Sequence, residues 1–125
     1  MENNWKNKNF FVALKNALNG IKYVFFKERN LKIQLVIGII ASLLGILLKI
    51  SLIEWAIVIT IIFMVFFSEL VNTVVETVVD MITTEYNEKA KIAKDISAGG
   101  VTLVAVASVI IGLIIFLPKI LEIIM

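Results

Sequence analysis

Apolar residues recur every three or four positions in the first stretch of the chain. At 100° per residue they share one side of a helix, and lysine and asparagine residues occupy the other sides. The apolar positions are Phe10, Leu14, Ala17, Leu18, Ile21 and Phe25. The pattern predicts an amphipathic helix over about residues 9–29 that lies on a membrane surface. A helix of the same pattern packed on partner helices is the alternative.

Three longer apolar segments follow, at residues 31–50, 53–82 and 96–118. A bilayer core about 30 Å thick requires about 20 helical residues, so each segment is long enough to cross it. Pro118 lies where the third span is predicted to end. The predicted fold class is therefore an all-α integral membrane protein, with one surface helix and three transmembrane helices in a single membrane domain over residues 1–125.

Composition supports the membrane assignment and restricts the chemistry. Hydrophobic residues make up 60% of the 125 residues, charged residues make up 18%, and the mean hydropathy is +0.99. The absence of His and Cys excludes disulfides, zinc or thiolate sites and imidazole bases. A net charge of +2 gives no indication of nucleic-acid binding, and no signal peptide is predicted within the first 29 residues.

Lysine and arginine positions predict the orientation of the spans. Seven of these residues precede or open the first span, and three more lie between the second and third spans; they are Lys6, Lys8, Lys15, Lys22, Lys27, Arg29, Lys32, Lys89, Lys91 and Lys94. Only Lys49 and Lys119 fall on the other side. We therefore expect a cytoplasmic N-terminus and second loop, and an external 50–54 turn and C-terminus.

One face of the second span carries the candidate chemistry. With Glu69 at 0°, Asn72 falls near −60°, Glu76 near −20° and Asp80 near +20°, in one stripe about 80° wide that Thr73 borders. Adjacent carboxylates in a membrane helix repel each other unless a cation joins them, and oxygen ligands without His or Cys favour Mg²⁺. Polar contacts that only hold helices together are the structural alternative.

The predicted depth of each carboxylate in the membrane indicates a different function for each. If Trp55 marks the external interface, Glu69 lies about 21 Å further in and Glu76 about 31 Å further in, at the cytoplasmic edge. A lipid kinase needs this arrangement, with Glu69 as the general base for a lipid hydroxyl and Glu76 as a ligand of nucleotide-bound Mg²⁺. No Walker loop or other common nucleotide-binding motif occurs.

Charged residues outside the stripe complete the candidate site. Lys94 is predicted to stand near the N-terminus of the third span, where a phosphate would be favoured; the alternative is a surface lysine beside Asp95 as an N-cap. Glu28 lies at the same cytoplasmic level as Glu76, as a metal ligand or as a solvated helix-end charge.

The motif E-x-x-N-T-x-x-E-x-x-x-D at residues 69–80, followed by Glu85-Tyr86-Asn87 and Ala93-Lys94-Asp95, closely resembles the prokaryotic diacylglycerol kinase family of small integral membrane kinases. The resemblance covers nearly the whole chain. The segments at residues 28–30, 51–55 and 110–119 are similar to the Gram-positive branch, whose members phosphorylate undecaprenol.

This resemblance implies a homotrimer with active sites shared between subunits, and it implies specific roles for the motif residues. Glu69 would be the catalytic base, with Asn72 beside the reacting groups and Asp80 in support. The nucleotide-bound magnesium would be held by Glu28 and Glu76. ATP would also be contacted by Glu85, Tyr86, Asn87, Lys94 and Asp95. Many relatives carry His where Asn87 stands.

The leading hypothesis is a bacterial cell-membrane lipid kinase that uses ATP and Mg²⁺ and transfers the γ-phosphoryl group directly, in line, to a membrane lipid alcohol. Undecaprenol is the predicted acceptor, with diacylglycerol as the alternative. A small ion channel lined by the carboxylate stripe is a different hypothesis, although the external half of the second span is apolar. A membrane scaffold without activity is the third.

Overall fold

The computed structural model describes residues 6–125, and the first five residues of the predicted membrane domain lie outside it. The described chain forms α1 (Phe10–Lys27), α2 (Arg29–Leu47), α3 (Leu52–Ile82) and α4 (Glu88–Ile124). These residues contain no strand. Three of the helices, α2, α3 and α4, are long and apolar enough to cross a membrane, which confirms the predicted fold class.

The amphipathic segment forms α1 and leaves most of its apolar side open. Asn9 caps the helix by accepting a hydrogen bond from the Val12 backbone N–H. Phe10, Leu14 and Leu18 remain between 47% and 73% exposed, so other helices of the chain do not cover this face. Such a face fits a membrane surface.

A single residue, Glu28, separates α1 from α2. Its backbone is extended (φ −98°, ψ 118°) and its N–H still bonds the carbonyl of Val24 over 2.8 Å. The chain therefore turns sharply at Glu28. This turn places the carboxylate of Glu28 at the junction of the surface helix and the first membrane helix.

Helices α2 and α3 are joined by a tight turn over residues 48–51. Lys49 adopts a left-handed conformation (φ 52°), and the N–H groups of Lys49 and Ile50 bond the carbonyls of Ile46 and Gly45. This is a Schellman C-cap. Ser51 then caps α3 in a reciprocal capping box with Glu54, so the turn satisfies the backbone groups at both helix ends.

Helices α3 and α4 form the most extensive packing in the fold. Ion pairs join them at both ends, Lys119–Glu54 over 3.3 Å and Lys94–Asp80 over 2.7 Å. The buried apolar cluster lies toward the Glu54 end and includes Ile50, Val58, Ile115 and Phe116. The other half of the α3–α4 pair is where the buried polar residues lie.

The bounds predicted for the third apolar segment, 96–118, are shorter than α4 at both ends. The helix begins at Glu88 because Asn87 caps it, and a run of strong helix formers follows. It also continues through Pro118 to Ile124, because a proline removes one backbone hydrogen bond, a loss that membrane helices tolerate. The helix therefore runs past Pro118, and the end of the membrane span at that residue stays a prediction.

Candidate active site

The polar stripe of α3 contains one side chain that is buried inside the fold, Glu69, the residue predicted to lie deepest in the membrane. Glu69 is 2% exposed and is the largest fully buried side chain in the described residues. Thr73, one turn further on, is also buried and donates its hydroxyl to the Glu69 backbone carbonyl over 3.0 Å. Thr77 repeats this bond to the Thr73 carbonyl, so the hydroxyls beside the stripe are satisfied within α3.

Glu69 is paired with a residue that the sequence reasoning missed. Gln34 of α2 donates its side-chain Nε2 to Glu69 Oε1 over 3.0 Å. The signal was present in the sequence, since Gln34 is an uncharged amide inside a predominantly apolar span. Its partner was not apparent, because the two residues are 35 positions apart.

Asn72 and Glu76 lie on the same face one turn apart. Asn72 donates Nδ2 to Glu76 Oε1 over 3.3 Å, so the amide bridges the stripe toward the cytoplasmic end predicted for α3. Both side chains are partly buried. The 100° projection of the sequence therefore placed these groups correctly on one face.

Glu28 also belongs to this cluster. Its carboxylate and that of Glu76 lie near enough to Glu69 for their charges to act on it. The α1–α2 turn thus brings a residue from outside α3 to the stripe within one chain. These negative charges repel one another, and a bound cation would relieve that repulsion.

The donor set fits a magnesium ion shared with a phosphate ligand. Residues 6–125 contain no group of three or more acidic residues that could enclose a metal by itself. Mg²⁺ usually binds one or two carboxylates together with substrate phosphates and water. Glu28 and Glu76 supply two carboxylates of the required hard-oxygen type.

The predicted phosphate-binding lysine is close to this cluster. Lys94 Nζ lies 2.7 Å from Asp80 Oδ1, and the charge of Glu76 also acts on Lys94. The structure corrects its position in α4, however. Lys94 lies in the second turn, not at the helix N-terminus, because α4 already begins at Glu88.

The remaining predicted nucleotide residues are exposed, in the connection between α3 and α4 or in the first turns of α4. Asp95 pairs with Lys91 over 2.6 Å and is not an N-cap. Asn87 is the N-cap of α4, accepting from the Ala90 backbone N–H over 3.1 Å. Glu85 and Tyr86 are exposed in the segment before it. No hydrogen bond in residues 6–125 joins these side chains to the carboxylate cluster.

Within residues 6–125, three buried polar side-chain atoms have no hydrogen-bond partner: Gln34 Oε1, Asn72 Oδ1 and Ser97 Oγ. Such atoms are rare in folded proteins and are expected where a ligand completes the hydrogen bonding. Gln34 and Asn72 belong to the carboxylate cluster already described, so two of the three atoms lie at that cluster.

An apolar cavity of about 400 Å³ adjoins the site between α2, α3 and α4. Gln34 lines one part of it, and residues of the three membrane helices, among them Gly38, Val65 and Phe116, line the rest. Gln34 thus borders both the cavity and the Glu69 carboxylate. The arrangement suits a molecule with a long apolar part and a single polar end.

Comparisons with known proteins show which family the chain belongs to. The sequence profile of the prokaryotic diacylglycerol kinase family matches residues 15–116. An undecaprenol kinase from Bacillus subtilis is 41% identical over 110 residues, which cover 88% of this chain and 89% of that protein. A diacylglycerol kinase from Synechocystis is 36% identical over 115 residues, which cover 91% of this chain and 66% of that protein.

Proposed function

The chain belongs to the prokaryotic diacylglycerol kinase family and is a bacterial membrane lipid kinase, and from this premise we propose that it phosphorylates undecaprenol with Glu69 as the general base. The observation that carries the proposal is the nearly complete burial of Glu69, whose partner Gln34 lines an apolar cavity and on which the charges of Glu28 and Glu76 act. Because the chain belongs to a kinase family, the lipid kinase hypothesis is kept in preference to the channel and scaffold hypotheses.

In the proposed reaction, Glu69 accepts the proton of the lipid hydroxyl. The hydroxyl oxygen forms a bond to the γ-phosphorus of ATP while the bond from that phosphorus to the bridging oxygen breaks, which releases ADP. Direct in-line transfer requires no phosphorylated protein side chain. Asn72 lies beside these groups and holds Glu76 through its amide, and Asp80 holds Lys94.

Glu28 and Glu76 are the proposed ligands of nucleotide-bound Mg²⁺. When bound, the ion would neutralise charge on the β- and γ-phosphates. Lys94 lies near Glu76 and is the proposed phosphate contact. The further ATP contacts are proposed for residues exposed at the water edge: Glu85, Tyr86, Asn87 and Asp95. Asn87 would make its contact with the side-chain Nδ2, since Oδ1 caps α4.

Undecaprenol is the proposed acceptor because the Bacillus subtilis relative, whose alignment covers most of its own length and of this chain, is an undecaprenol kinase. The diacylglycerol kinase relative supports the alternative acceptor. Both lipids offer a primary hydroxyl to Glu69, so the mechanism is the same for either.

We also propose a homotrimer with shared active sites, oriented with the N-terminus and second loop cytoplasmic and the C-terminus external. Large apolar side chains are exposed along all three membrane helices. At three glycines of α4, a Cβ added to the backbone would meet no atom within 4 Å; these are Gly99, Gly100 and Gly112. Small residues of this kind allow close approach of a neighbouring helix. Basic residues cluster at the predicted cytoplasmic side.

The test is a side-by-side phosphorylation assay in vesicles that contain either undecaprenol or diacylglycerol, with ATP and Mg²⁺. We expect transfer of labelled phosphate to undecaprenol with a higher kcat/KM than to diacylglycerol. A preference for diacylglycerol would replace the acceptor and keep the mechanism. Transfer to neither lipid would contradict the proposal as a whole.

A further inference from the structure

A buried hydrogen bond joins the proposed base to the first membrane helix. Gln34 Nε2 donates to Glu69 Oε1 over 3.0 Å, and Glu69 is 2% exposed. The Asn30 side chain, one turn earlier on α2, also acts on the Glu69 carboxylate. A carboxylate removed from water depends on such donors to keep one orientation.

The orientation of the Gln34 amide follows from its partner. An ionised carboxylate only accepts hydrogen bonds, so the NH₂ group of Gln34 must face Glu69 and its Oε1 must point away. That Oε1 is buried and has no partner. A side chain that served only to join two helices would be expected to satisfy both ends of its amide.

The geometry points to Gln34 as a positioning residue for Glu69, an inference that rests on the proposed role of Glu69 as the base. Gln34 holds Oε1 of the carboxylate, and in the proposed reaction the second oxygen accepts the proton of the lipid hydroxyl. Gln34 also lines the apolar cavity, so it fixes the base at the boundary between the lipid tail and the reacting groups. Gln34 itself takes up no proton, because the proton passes from the hydroxyl oxygen to Glu69.

A double-mutant cycle separates positioning from simple helix packing. The variants are Gln34→Met, which keeps the length of the side chain without its amide, Glu69→Gln, and the two combined. The assay measures kcat and the KM for ATP with undecaprenol vesicles. Ser42→Ala is the matched control, because Ser42 is on the same helix but donates to the carbonyl of Gly38 in its own backbone.

We expect Gln34→Met to lower kcat about 10- to 100-fold with the KM for ATP unchanged, because a hydrogen bond to a charged group is lost. In the Glu69→Gln background the same substitution should change the residual rate less than about twofold, because Gln34 acts through Glu69. The control should keep the wild-type kcat.

Three results would overturn the inference: a wild-type kcat in Gln34→Met, effects that multiply in the double variant, or a wild-type kcat in Gln34→Asn. The Asn variant keeps an amide but is one methylene too short to reach Glu69, and it serves if the Met variant does not fold. A wild-type rate in Glu69→Gln alone is a different failure, because it contradicts the proposed base and not only its positioning.

Discussion

At the scale of single residues, burial distinguishes the carboxylates of the α3 stripe from one another. Glu69 is almost fully buried and bonded by Gln34, whereas Asp80 is exposed and paired with Lys94. A buried carboxylate is well suited to take a proton from a lipid, and carboxylates near water are suited to a hydrated cation. The gradient along one helix face therefore separates the proposed proton acceptor from the proposed cation ligands.

Glu76→Gln should weaken the magnesium dependence of the reaction. Removing the charge of one of two proposed carboxylate ligands should raise the Mg²⁺ concentration for half-maximal rate at least about tenfold. Magnesium titrations at fixed ATP and lipid would measure the change. The matched control is Glu54→Gln, at the opposite end of α3 and paired with Lys119, where no change is expected. An unaltered titration in Glu76→Gln would remove it from the metal site.

Much of the stripe was predictable from sequence because a helix fixes the angle between its own residues. Glu69, Asn72 and Glu76 share a face in the structure as their spacing predicts. Gln34 was missed because its contact depends on how α2 packs against α3. Spacing within one helix carries no information about that register.

At the scale of helices, capping and close packing determine where each helix begins and ends, which the periodicity of apolar residues does not predict. Asp95 and Asn87 are both residues that cap helices, and the cap at Asn87 lengthens α4 by two turns before Lys94. The predicted third span began later because its boundary was placed where the charged residues end. The bounds of a membrane span and of the helix that contains it can differ, since a helix can continue beyond the membrane into water.

The α2–α3 turn depends on a glycine. A Cβ added at Gly45 would lie 2.8 Å and 2.9 Å from two ring atoms of Trp55 and 3.1 Å from Ile50. Because the indole is rigid, Gly45→Ala should destabilise the protein by about 1–3 kcal/mol. Thermal unfolding in detergent would measure it.

Gly20→Ala is the control for this substitution, since no atom lies within 4 Å of a Cβ there. Alanine is the better helix former, so the control should unfold at the wild-type temperature or above. Equal unfolding temperatures for Gly45→Ala and wild type would contradict the packing of Trp55 on α2.

At the scale of the whole molecule, one chain gathers the carboxylates but leaves broad apolar surfaces open. Composition was sufficient to predict a membrane protein, because 60% hydrophobic residues exceed what so small a core can bury. Assembly was not predictable from periodicity, since lipid and a neighbouring subunit are equally apolar partners for a membrane helix.

Shared sites in a trimer predict recovery of activity in mixed assemblies. If the exposed nucleotide residues of one subunit serve the carboxylate cluster of its neighbour, Glu69→Gln and Asp95→Asn subunits, each inactive alone, should regain activity when refolded together, with about a quarter of the sites intact at equal amounts. The assay is lipid phosphorylation across a series of mixing ratios. Mixtures as inactive as their parents would place the whole site within one subunit.

The most direct measurement of the central claim is the turnover of Glu69→Gln with ATP and undecaprenol in vesicles. The substitution removes the proton acceptor and keeps the size of the side chain, so kcat should fall by about 10²- to 10⁴-fold. Binding of magnesium-ATP should stay close to wild type, because Glu28 and Glu76 are intact. A variant that phosphorylates the lipid at the wild-type rate would show that Glu69 is not the base.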